Sequence, residues 1–137
     1  MPKGSCLCGE YTHEYTGDPL GVAICHCIPC IQTAGPNGSV NSAIKSENYI
    51  QTSGTAAKWT RKGESGKNVT YERCQNCGTI MIVHAEAAPG IVIFKTGTVA
   101  SEDPLAMGAP KPAQEIYNKN RPECYPSISY AEQKDAA

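Results

Sequence analysis

The sequence lacks any long apolar run. Its apolar stretches are a handful of residues, far short of the roughly 20 that a membrane-spanning helix needs, which argues against a membrane partner. It also lacks an excess of one charge. Twelve Lys and Arg stand against 13 Asp and Glu, for a net charge of −1, so electrostatics gives no basis for binding nucleic acid or an anionic membrane. No apolar leader follows Met1-Pro2-Lys3-Gly4, so no secretory signal is expected. Internal repeats of useful length are missing. Long helical patterns are scarce too. Gly (13) and Pro (10) are frequent in the 137 residues, which favours turns over long helices.

Against these absences stand eight cysteines, seven of them in three tight clusters. These are Cys6-Leu7-Cys8-Gly9, Cys25-His26-Cys27-Ile28-Pro29-Cys30 and Cys74-Gln75-Asn76-Cys77-Gly78. Thiolates one or two residues apart reach one metal ion from a single turn of backbone. Tetrahedral zinc takes four such ligands at about 2.3 Å when the site is structural, and three plus an open position when it is catalytic. A disulfide framework is the competing account, but disulfide-rich domains are usually shorter and carry a secretory signal. Iron–sulfur ligation lacks the ferredoxin spacings. Free thiolate ligands point to a reducing compartment, hence a cytoplasmic location.

Between the clusters run short strand-like segments, each bounded by Gly, Pro, Asn or Ser. They cover Tyr11 to Tyr15, Val22 to Ile24, Ser39 to Ile44, Tyr49 to Thr52 and Ala56 to Thr60. Further runs cover Asn68 to Arg73, Thr79 to His84 and Ile91 to Thr96. Helix is confined to a short turn from Cys27 to Thr33 and to Ser101–Met107, with a loop over Gly108 to Pro112. The pattern predicts a mainly β fold of short antiparallel strands, one domain over 1–137 with its core at 4–126. The polar segment 131–137 is expected to be a disordered tail. Cys8-Gly9 and Cys77-Gly78 share a glycine after the second cysteine, which permits a positive φ that turns backbone N–H groups toward the sulfurs. The triplet lacks it, and this pairs the first and third clusters as one structural site.

Gly4-Ser5-Cys6-x-Cys8-Gly9, then Cys25-His26-Cys27-x-x-Cys30, then Cys74-x-x-Cys77-Gly78 resemble the glutathione-dependent formaldehyde-activating enzyme family, which shares a domain with centromere protein V. The likeness runs from Gly4 to about Pro126. It implies an Mss4-like, mainly β fold with zinc knuckles. It implies a structural zinc on Cys6, Cys8, Cys74 and Cys77, and a catalytic zinc on Cys25, Cys27 and Cys30. It also implies glutathione and a small aldehyde as substrates, with a homodimer allowed. Ile31 stands where many members carry Arg or Lys after the triplet, and Pro36-Asn37-Gly38 replaces a small-plus-aromatic stretch. Glu115 to Pro122 resembles the family's C-terminal strand.

Three thiolates and one Zn²⁺ leave a net single negative charge, a weaker generator of hydroxide than a histidine site and a good soft acceptor for a fourth sulfur. A bound thiol would be deprotonated outright. The site therefore suits a carbon–sulfur lyase that makes or breaks an adduct between glutathione and an aldehyde such as formaldehyde. The rival readings are a zinc module for protein binding, and an enzyme of the same fold acting on another small molecule without glutathione. His26 can be a proton shuttle, a fourth ligand, an orienting group or a solvated side chain. His13 and His84 are read as structural, Trp59 as core, and Cys124 as a buried small hydrophobe rather than a fourth thiolate. Lys58 to Arg73 is read as a solvated hairpin, with anchoring of glutathione carboxylates as the alternative.

Overall fold

The computed structural model describes residues 2–100 and 111–137. The helix expected over Ser101–Met107 and most of the loop after it lie outside the described residues. The strands are β1 (Lys3–Ser5), β2 (Thr12–Tyr15), β3 (Gly21–Cys25), β4 (Ser39–Lys45), β5 (Tyr49–Ser53) and β6 (Ala56–Lys62). They continue as β7 (Asn68–Cys74), β8 (Ile80–Ala85), β9 (Ile91–Lys95), β10 (Val99–Ala100), β11 (Gln114–Ile116) and β12 (Glu132–Gln133). One α-helix, α1 (Ile28–Ala34), follows the cysteine triplet. The fold is mainly β, and every strand read from the sequence is present.

Two sheets form. One has the order β10-β1-β2-β5, the other β12-β11-β3-β4-β9-β8-β7-β6. Side chains alternate between the faces of a strand, so register decides which residues share a side. On one face of the large sheet Ile82 lies opposite Phe94, and Phe94 opposite Ser42. This face packs on the small sheet, and the core between them includes Tyr11, Tyr15, Ile44, Met81 and Phe94. Burying Phe94, the only phenylalanine, contributes about 1.5–3 kcal/mol. On the other face Trp59 lies opposite Tyr71, Tyr71 opposite Val83, and Val83 opposite Ile93. That face carries a cleft rather than a second sheet.

Three expectations need correction. Trp59 is not core: it is 58 % exposed, because β6 is the edge strand and Trp59 sits on the cleft side. Cys124 is exposed, not buried; it follows Pro122 in a turn closed by the Tyr125 N–H on the Pro122 carbonyl (3.0 Å). The segment expected to be a disordered tail forms β12, which runs parallel to β11, as β11 does to β3. Composition reads those residues as solvated. Here their polar groups bond inward: Gln133 Nε2 donates to Glu115 Oε2 (2.7 Å), and the Lys134 N–H donates to the Glu115 carbonyl (2.9 Å).

His13 is structural, as expected. Its Nε2–H donates to Thr98 Oγ1 (3.0 Å), because the Thr98 hydroxyl gives its own proton to the Lys95 carbonyl (2.7 Å). Nδ1 then accepts from the Tyr49 hydroxyl (2.9 Å). A Cβ on Gly4 would overlap His13 Nε2 and the Thr98 carbonyl, so only glycine fits there. Burial pushes the His13 pKa down from 6.5 to about 4. Between those values the unfolded chain takes up a proton that the folded chain refuses, so stability falls as pH drops through this window. Going from pH 7 to pH 5 should remove about 2 kcal/mol through this group. Denaturant titrations of wild type and His13→Gln check it. The variant should lose that part of the pH slope, and equal slopes would refute the assignment.

Candidate metal centres and the adjoining cleft

The structure gathers the cysteines into two groups. The sulfurs of Cys6, Cys8, Cys74 and Cys77 lie within 4.8 Å of one another, and so do those of Cys25, Cys27 and Cys30. All eight cysteines are free. Cys6 Sγ lies 3.5 Å from Cys8 Sγ, and Cys8 Sγ 3.7 Å from Cys74 Sγ. Four sulfurs around one zinc at about 2.3 Å are about 3.8 Å apart. The donor set and spacing therefore fit zinc.

The four-sulfur group is built from two matching knuckles. The Cys6 N–H bonds the Tyr11 carbonyl and the Gly9 N–H bonds the Cys6 carbonyl. Likewise the Cys74 N–H bonds the Thr79 carbonyl and the Gly78 N–H bonds the Cys74 carbonyl. Gly9 and Gly78 have φ of 83° and 80°, the conformation their Cys-Gly pairs anticipate. The Tyr11 N–H points at Cys6 Sγ (3.3 Å). Thr79 joins the knuckles: its Oγ1 accepts from the Leu7 N–H (3.2 Å) and bonds Cys77 Sγ (3.2 Å). Hydrogen bonds from Thr79 hold the Cys77 thiol down to about 5, toward the thiolate that a metal requires. Cys6 and Cys74 are part of the core.

The triplet lies on the opposite face of the large sheet. Cys25 ends β3, Cys27 is the N-cap of α1 and Cys30 is in its first turn. Among the described residues no fourth His, Cys, Asp or Glu ligand joins it; Cys124 stands apart. The neighbouring thiols Cys25 and Cys27, with Lys95 and Asn41, bring Cys30 down to about 2. Asn41 Nδ2 points at Cys30 Sγ (3.8 Å), and Lys95 Nζ holds Asn41 Oδ1 and Ser39 Oγ, each at 3.1 Å. Gly38 (φ 78°) passes so close that a Cβ would overlap the Cys25 carbonyl.

His26 is fully buried, not solvated. Its Nε2–H donates to Glu115 Oε1 (2.9 Å), and its Nδ1 has no partner among the described residues. Burial opposes charge on Glu115, but His26, Gln133, the Ile128 N–H and Arg121 together hold its pKa below the usual value. Glu115 thus ties the C-terminal strands to the triplet. His84 bonds Glu72 away from both groups, in keeping with a structural role.

The triplet opens into a cleft of about 630 Å³, within the roughly 300–1,000 Å³ of small-molecule sites. Val69, Val83 and Ile93 form its floor, and Arg61, Tyr71, Lys95, Glu64 and Tyr117 its polar rim. Tyr117 has a left-handed backbone (φ 52°), alone among the described non-glycine residues. Holding an aromatic residue there costs of order 1–3 kcal/mol, a kind of strain that collects at functional sites. Nothing local in the sequence marks Lys95 or Asn41, which only tertiary pairing brings to the triplet.

With this geometry in place, the comparisons decide the family. The model of the glutathione-dependent formaldehyde-activating enzyme family matches residues 1–120, which include both cysteine groups and Glu115. The chain belongs to this family. No curated protein matches it. Among solved structures, the crystal structure of a Rhodobacter sphaeroides protein is similar, with a TM-score of 0.61 at 15 % identity over 77 % of this chain and 94 % of that one. At that identity the likeness shows the fold alone. The family is associated with enzymes of this kind. Among the described residues no helix is long and apolar enough to cross a membrane.

Proposed function

We propose that this protein is a zinc-dependent carbon–sulfur lyase that makes or breaks the adduct between glutathione and a small aldehyde such as formaldehyde. The observation that carries this reading is a contrast between the two cysteine groups. The four-sulfur group offers a full set of four sulfurs, and two of them, Cys6 and Cys74, are anchored in the core. The three-sulfur group faces a cleft large enough for a tripeptide thiol. In this reading Cys6, Cys8, Cys74 and Cys77 hold a structural zinc, and Cys25, Cys27 and Cys30 a catalytic one. When bound there, zinc would supply a soft acceptor that lowers the pKa of an incoming thiol. A module for protein binding needs no such cleft. A reducing compartment such as the cytoplasm suits eight free thiols.

In the forward direction the thiol sulfur adds to the aldehyde carbon. A C–S bond forms, the carbonyl π bond breaks, and the proton lost from sulfur ends on the aldehyde oxygen. Tyr117, on the rim of the cleft, can relay that proton, its hydroxyl giving one to the aldehyde oxygen as it takes up the one lost from sulfur. Burial, Glu64, Cys25 and Cys27 all raise its pKa, so it stays protonated and able to donate. Its hydroxyl hydrogen now points to Glu64 Oε2 (3.4 Å), a long bond that a substrate oxygen can replace. Lys95 and Asn41 steady Cys30 on the other side.

The test is exchange NMR with carbon-13 formaldehyde and glutathione on the zinc-loaded protein. Exchange between free aldehyde and S-hydroxymethyl adduct should be faster than without protein. S-methylglutathione, which cannot offer a thiolate, should not react and should bind far more weakly than glutathione. Unchanged exchange together with no binding of glutathione would overturn the proposal.

A further inference from the structure

The cleft beside the triplet continues past it. Tyr71 and Arg61 line both this cleft and a smaller one of about 220 Å³, whose wall includes Trp59, Arg73 and Pro29. The pairing of β6 with β7 explains the continuity. Trp59 lies opposite Tyr71 and Arg61 opposite Val69, so all four project on the cleft side of the sheet. The two spaces form one groove that leads from the sulfurs along the hairpin to the sheet edge.

Arg61 and the exposed Arg73 are the guanidinium groups of this groove, and Arg61 is the one held in place. Its Nε donates to the Tyr71 hydroxyl (2.9 Å) and its Nη1 to the Lys62 carbonyl (3.1 Å), with the guanidinium 5.7 Å from the Tyr71 ring centroid. Those bonds use a minority of its N–H donors. Among the described residues no carboxylate comes within ion-pair distance of it. Glu64, the acidic side chain of the same cleft, makes no ion pair with Arg61 and accepts only a long bond from the Tyr117 hydroxyl (3.4 Å). Lys95, the other cation of the cleft, is committed to Ser39 and Asn41 beside Cys30. A half-buried guanidinium, pinned in place with free donors, is matched to a carboxylate, which it binds through paired, charge-assisted hydrogen bonds.

We propose that Arg61, walled by Tyr71 and Trp59, is a carboxylate-recognition subsite that selects thiol substrates carrying a carboxylate at the far end from sulfur. The proposal rests on the reading of the triplet as the place where the thiol binds. Arg61 is then a specificity-determining residue. It reads the substrate end remote from the chemistry, while the triplet reads the sulfur. Trp59, the only tryptophan, sits 5.9 Å from Tyr71 between ring centroids and reports occupancy of the subsite through its fluorescence.

The test is calorimetric titration of the zinc-loaded full chain with glutathione and with its diethyl ester, which keeps the thiol and masks both carboxylates. Wild type should prefer the free acid by about tenfold or more, the scale of a charge-assisted hydrogen bond. Arg61→Gln should bind the two forms nearly equally, with the ester's affinity unchanged, and should lose the change in Trp59 emission caused by the acid. Arg61→Lys, which keeps the charge without the planar fork, should retain part of the preference. If Arg61→Gln keeps the full preference for the acid, the subsite is refuted while thiol binding at the triplet stands. If neither form binds wild type, the subsite and the thiol reading fall together.

Discussion

Cys74→Ser is expected to leave most of the protein unfolded. Structural zinc sites of this kind bind with about 10–16 kcal/mol of apparent free energy, which appears as folding free energy. A domain of this size has only about 5–15 kcal/mol of net stability. Losing one thiolate from the four-sulfur group therefore removes a contribution comparable to the whole margin. The damage is also local. Cys74 is 1 % exposed and packs with Cys6, Tyr11 and Met81, and its knuckle is joined to that of Cys6 through Thr79. Opening one knuckle frees β1 and the end of β7 together. Circular dichroism during heating, with zinc content measured on the same sample, should show a collapsed transition and loss of the metal. A Cys74→Ser protein that melts cooperatively at the wild-type temperature would refute the structural assignment.

Much of this architecture is legible in the sequence because it is written in local terms. Alternation and turn residues locate β2 through β9, and Cys-Gly pairs locate the two knuckles with their positive-φ glycines. What escapes is what depends on partners distant in the chain. Trp59 reads as core by its chemistry, but β6 is an edge strand whose outer face meets a cleft, and only strand order reveals that. The segment 131–137 reads as solvated, yet Gln133 and Lys134 satisfy Glu115 across the sheet. β11 and β12 are too short to carry a period, and parallel pairing leaves no turn signal between them. At the triplet the three cysteines follow from spacing, but Lys95, Asn41 and Tyr117 come from three different places in the sequence. His26 shows the same division. Its position between two cysteines marks it as notable, while its burial against Glu115 follows from the pairing of β11 with β3.

Cys27→Ser should have the opposite profile from Cys74→Ser: the fold kept, one zinc ion lost and adduct exchange abolished. Cys27 is only partly buried and lies outside the core cluster. It is the N-cap of α1, with extended backbone (φ −63°, ψ 155°) and no side-chain cap bond. Serine is among the preferred residues at that position, and its hydroxyl can accept from a free N–H of the first turn, a bond worth about 0.5–2 kcal/mol. The substitution thus removes a metal ligand while offering the helix a better cap. Two thiolates and a weakly basic hydroxyl hold zinc far less well than three thiolates. The four-sulfur group, on the other face of the sheet, should be untouched. Thermal unfolding should stay within a few degrees of wild type, the shift expected of about 1 kcal/mol in a domain of this size. The zinc-to-protein ratio should fall by one, and the NMR exchange of formaldehyde with glutathione should return to the rate without protein. If Cys27→Ser unfolds as badly as Cys74→Ser, the triplet is a second structural staple. If the variant loses its zinc yet keeps its exchange activity, the chemistry takes place elsewhere on the protein.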